Sequence, residues 1–124
     1  LCEVIKNDFH KFVEKWERSP LFSTQSKRNQ IQFKKQREDR MEHNPIQLSK
    51  ALKAFSQGNM RSYEEEFLKF NFPISTINGS DDLKYKLAGK IMSGMNKQAI
   101  QHVVSNANHN VHLESTDAFI NLIK

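Results

Sequence analysis

Apolar residues recur at three- and four-residue steps near the start of the chain: Ile5, Phe9, Phe12, Val13 and Trp16. At ~100° per residue they share one side of a helix, so the spacing predicts a helix over 3–18 with that side buried. Cys2 falls on the same side and is expected to act as a small buried hydrophobe. Lys11, Lys15 and Arg18 form a separate basic flank. Pro20 ends the helix, because the residue before a proline is pushed out of helical geometry. A connector, 21–26, carries the large apolar residues Leu21 and Phe22. Residues 27–43 are rich in helix formers but have no stripe, since Ile31 and Phe33 would point to opposite sides. A solvent-facing helix, or one that orders on a partner, is expected there.

Asn44-Pro45 is a helix start, an N-cap residue followed by proline in the first turn. Leu48, Ala51, Leu52 and Phe55 then share a side opposite Lys50 and Lys53, and Gly58 is the expected stop. Ser62-Tyr63-Glu64-Glu65 reads as a capping box for a helix with Tyr63, Phe67 and Phe70 inward, closed by Pro73. Residues 71–80 read as an extended connector with an Asn-Gly turn. Ser80 or Asp81 caps the next helix, where Leu83, Leu87, Ala88, Ile91 and Met95 are expected to be buried as the central stripe. A short helix with Ala99, Ile100, Val103 and Val104, a polar loop over 105–112, and a last helix with Ala118, Phe119, Leu122 and Ile123 complete the pattern. The fold class expected is therefore all-α, an irregular array of six or seven helices in one domain, 1–124.

Composition narrows the function classes. The 124 residues fit one domain. No apolar run approaches the ~18 residues of a membrane span. A single cysteine excludes an intrachain disulfide. The chain opens at Leu1 with no leader pattern, so it is expected to be a module of a longer protein. Its net charge of +5 is uneven, with thirteen Lys and Arg against seven Asp and Glu in residues 1–62. Lys27, Arg28, Lys34, Lys35, Arg37 and Arg40 crowd one run. Such a stripe draws an acidic protein face, an anionic membrane or nucleic acid.

Candidate chemistry is sparse by spacing. Cys2 and His10 lie ~12 Å apart along one helix, too far for a dyad. No Gly-x-Ser-x-Gly elbow or phosphate loop is present. His102, His109 and His112, with Glu114 and Asp117, match no zinc spacing and are expected to be incidental. Asn78-Gly79-Ser80 matches a glycosylation acceptor but serves as a turn. Neither a catalytic residue, a metal nor a cofactor is expected.

Those features rank three functions. The first is a non-catalytic module docking an acidic partner protein through Lys11, Lys15, Arg18 and the basic run. The second is peripheral membrane targeting, with the same cations on anionic lipid or phosphoinositide headgroups. In that reading Trp16, Leu21 and Phe22 are an inserted apolar tip. Nucleic-acid binding ranks third, because acids interrupt the run. The expected location is cytoplasmic or at a membrane surface.

Overall fold

The long first helix is two. In the computed structural model, which describes residues 2–56, 58 and 60–124 without the side chain of Cys2, α1 (Cys2–Asn7) stops before Asp8. Asp8 then caps α2 (Phe9–Glu17) by accepting from the Lys11 N–H. Ile5, Phe12 and Val13 are buried as the stripe requires, and the expectation for Cys2 lies outside the described side chains. Asn29 divides the stripeless segment in the same way. It follows α3 (Gln25–Arg28) and caps α4 (Gln30–Met41) through the Gln32 N–H, and α4 buries no residue.

Asn44 caps α5 (Pro45–Ala54) by accepting from the N–H groups of Ile46 and Gln47. The helix stops short of Gly58, with Phe55 as its exposed last cap. Leu48 and Leu52 of α5, with Met41, Phe9 and Trp16, pack on Ile5, Phe12 and Val13. This is the core of a helical layer. A short helix, α6 (Glu64–Lys69), follows, and the Ser62 hydroxyl accepts from Glu64 N–H at its start.

The second half is not helical throughout, and the all-α expectation fails there. Residues of the expected connector form β1 (Ile74–Gly79), and those of the expected short helix form β2 (Ala99–Val104). The strands pair in parallel from Ile74 opposite Ala99 to Gly79 opposite Val104. The helix α7 (Leu83–Met95) makes the crossover between them. Ile74, Thr76, Ile77, Ile100, Val103 and Val104 are β-branched and suit a pleated ladder. Runs of six residues fit a helix turn or a strand equally, and a parallel pair has no hairpin signal to separate them.

α7 also lies the other way round from its apolar pattern. Asp82, Gly89 and Asn96 are its buried positions, and Leu83, Leu87 and Ile91 are exposed. The reason is polar packing against the sheet. The Gln101 amide donates to Asn78 Oδ1 at 3.0 Å and to the Lys86 carbonyl at 2.7 Å. Only a residue without a side chain leaves room for that pair at position 89, where a Cβ would overlap both amides. A second core, Val104, Ala107 and Val111 with Ile77 and Phe119, lies around the end of β2, α8 (Val111–Glu114) and α9 (Thr116–Ile123). Among the described residues no helix is long and apolar enough to cross a membrane.

Candidate active site

Parallel strands place functional groups beyond their carboxyl ends, and both strands here finish at the same edge. The two loops that leave them are laced together. Ser80 N–H donates to the Val104 carbonyl at 2.9 Å, and Asp81 N–H to the Ala107 carbonyl at 3.0 Å. The Ser80 hydroxyl accepts from Asn106 N–H, where the backbone turns through a left-handed φ of 55° that asparagine tolerates. Gly79 permits the approach, since a Cβ there would run into the carbonyl oxygens of Ala107 and Asn108.

This lacing sets Asp82 beside His109. Asp82 is the N-cap of α7, its Oδ1 accepting from Tyr85 N–H at 3.2 Å, and its side chain is only 3% exposed. Its Oδ2 lies 2.7 Å from Nδ1 of His109, a ring that stays 30% exposed. Where the carboxylate is charged it only accepts, so Nδ1 is the donor of this bond and Nε2 of the neutral ring keeps its lone pair. The ring stands between two aromatic side chains: Tyr85 at 4.6 Å between centroids, and Phe22 edge-on at 5.7 Å. Trp16 stacks behind Phe22 at 5.3 Å. It also lines a cavity of about 180 Å³ with Phe9, Phe12, Val13, Leu48 and Leu52, where Arg40 and His43 are the polar members.

The expected docking residues fall into two groups. Lys11, Lys15, Arg18, Lys27, Lys34 and Lys35 lie on the surface, with Lys35 paired to Asp39 at 3.3 Å. The other three arginines of that set turn inward. Arg37 pairs with Glu14 and Glu17, and Arg40 with Glu17 at 3.1 Å. Arg28 spans Asp81 at 2.5 Å and Glu114 at 2.7 Å. Hydrogen bonding to Asp81, and then the Glu114 carboxylate, raise the Arg28 guanidinium above its ordinary value despite partial burial. The Arg28 hydrogen bond, followed by the Ser80 hydroxyl, lowers the Asp81 carboxyl. Trp16 and Phe22 are packed toward His109, with Phe22 buried and Leu21 half-buried beside it.

Of the three histidines weighed as incidental, His109 alone meets a carboxylate side chain, and no group of three or more metal-ligating residues occurs among the described residues. Spacing in sequence could not bring Asp82 to His109. The usable signal was a polar Gly-Ser-Asp-Asp and an Asn-His at the ends of two β-branched runs, once those runs are taken as strands.

No family model matches the chain. Over 116 residues, 94% of its length, it is 26% identical to a Bacillus subtilis (strain 168) protein described as "Putative 2-succinyl-6-hydroxy-2,4-cyclohexadiene-1-carboxylate synthase". The match covers 42% of that protein. In fold it is similar to MenH from S. aureus, with a TM-score of 0.92 over 98% of this chain and 24% identity, covering 46% of MenH. The chain thus spans less than half the length of the relatives it matches. These likenesses overturn the all-α class and set aside the non-catalytic module docking an acidic protein, a membrane or nucleic acid. What the chain shares with that structure is its mixed α/β fold.

Proposed function

We propose that the 124 residues are one folded unit of a longer α/β-hydrolase-like enzyme, and that Asp82 and His109 are its acid–base pair. The supporting observation is the 2.7 Å contact between a buried carboxylate and a partly open imidazole at the carboxyl ends of parallel strands. In such enzymes the nucleophile, the acid and the histidine follow in the chain order Ser, Asp or Glu, His. Asp82 precedes His109 here, so the nucleophilic serine is assigned to the part of the relatives' fold that these residues do not span. His109 Nε2 takes the proton of the reacting group, and Asp82 holds the tautomer and stabilises the imidazolium that forms. The proton then returns to the departing group. Phe22 and Tyr85 flank the ring, Trp16 backs Phe22, and the cavity that Trp16 lines, apolar but for Arg40 and His43, suits a small carboxylic substrate.

The relative's name supplies the reaction to assay, formation of 2-succinyl-6-hydroxy-2,4-cyclohexadiene-1-carboxylate. In the full-length enzyme, Asp82→Asn should keep the fold and lower kcat by roughly 10³–10⁴-fold, because the amide favours the wrong tautomer. His109→Gln should do at least as much damage. Product formation at wild-type rates in both variants would remove the pair from the reaction.

A further inference from the structure

Three candidates besides the pair stand out: the apolar cavity beyond Trp16, the exposed face of α7, and a buried carboxylate at the end of α8. The last is the best built. Glu114 has a side chain with no exposure at all, and its two oxygens accept four hydrogen-bond contacts. The Thr24 hydroxyl donates to it at 2.9 and 3.1 Å to its two oxygens, Arg28 Nη1 at 2.7 Å, and Asn108 N–H at 3.1 Å. Thr24 and Arg28 belong to the helical layer, and Asn108 is the residue before His109. The other arm of Arg28, Nη2, grips Asp81, the residue before Asp82.

From this we infer that Arg28 and Glu114 are positioning residues: one guanidinium in the helical layer holds both loops of the acid–base pair at the separation their hydrogen bond requires. A guanidinium has the rigid fork for two carboxylates, which an ammonium lacks. Further bonds fix the same boundary. Asn108 Nδ2 donates to the Pro20 carbonyl at 2.8 Å, and Asn29 Nδ2 to the Leu113 carbonyl at 3.2 Å. The connector carrying Phe22 and the loop carrying His109 are therefore tied to each other directly. Sequence pattern placed Arg28 among surface cations, and the fold turns it into the clasp between two layers. Its catalytic consequence rests on reading Asp82 and His109 as the acid–base pair; its structural consequence does not.

The test uses the intact enzyme and two readouts. An imidazole Nδ1–H bonded to a carboxylate gives a far-downfield proton resonance, assigned here by its loss in His109→Gln. In Arg28→Gln that resonance should move upfield and exchange faster with water. In the activity assay kcat should fall about tenfold to a hundredfold, with KM changed by no more than about twofold, as for a misplaced catalytic group. Arg28→Lys should recover only part of either signal. Removing one partner leaves Glu114 buried and unpaired. If Arg28→Gln unfolds by circular dichroism, Arg28→Gln/Glu114→Gln, which leaves no buried charge orphaned and only the half-exposed Asp81 without its arginine, takes its place, with Thr24→Val as the mildest member of the series. A downfield resonance unchanged in the folded variants, or a rise in KM with kcat intact, overturns the inference. If instead His109→Gln leaves activity untouched, the acid–base reading falls, and the resonance still decides whether Arg28 and Glu114 hold the pair.

Discussion

Single residues carry the geometry of the strand ends. Gly79 ends β1 against the carbonyls of Ala107 and Asn108, so even one methyl group forces the two loops apart. Gly79→Ala should cost about 1–3 kcal/mol in chemical denaturation, the range for overpacking a tight site. It should also weaken the downfield His109 resonance. Asp81 makes a separate statement about acid. Arg28 holds its carboxyl below the ordinary aspartate value. A group with a lowered folded value adds stability that is complete above its unfolded value and is lost as pH falls through the folded one. The wild type should therefore lose this contribution only below about pH 4, the ordinary aspartate value. Asp81→Asn should have a flatter acid limb in a melting series across that range. Identical acid limbs would mean that the Arg28 contact leaves Asp81 unperturbed in solution.

At the scale of elements, α7 runs against its own pattern. Leu83, Leu87 and Ile91 form a stripe that reads as core, yet Leu87 is 59% exposed and the other two are also more than half exposed. Leu87→Ala in the 124-residue chain should accordingly cost less than about 1 kcal/mol in urea, against the 2–5 kcal/mol of a buried leucine. A loss in that larger range would place the stripe inside. Elements with long local signals were legible: the stripe of α1 and α2 and the Asn44-Pro45 start of α5 stand where the pattern puts them. Asp8 and Asn29, each a break capped by its own side chain, were not, because a mid-helix Asp or Asn carries no mark until its φ is known. The strands were hidden by brevity. The site was hidden with them, since Asp82 and His109 become neighbours only when β1 and β2 are paired. Arg28, Arg37 and Arg40 misled for a related reason: charge on a helix surface is the same in sequence whether it meets water or a distant carboxylate.

For the whole molecule, the long reach of the contacts at Glu114 has a consequence in time. Thr24 and Glu114 are separated by 90 positions, and Arg28 and Glu114 by 86. Chains grow from the N-terminus at about 5–20 residues per second, and local contacts form before distant ones. The helical layer can therefore collapse around Ile5, Phe12 and Val13 while the strands are still being made. Its Arg28 and Thr24 wait for a carboxylate that emerges only near the end of these residues. Refolding watched by two probes should separate the events, with Trp16 fluorescence reporting the early layer and the His109 resonance the late one. A single shared rate would show that both layers form together. Until Glu114 is made, the loops that follow β1 and β2 lack one arm of the Arg28 clasp, so the boundary between the helical layer and the strand ends closes later than the core behind it.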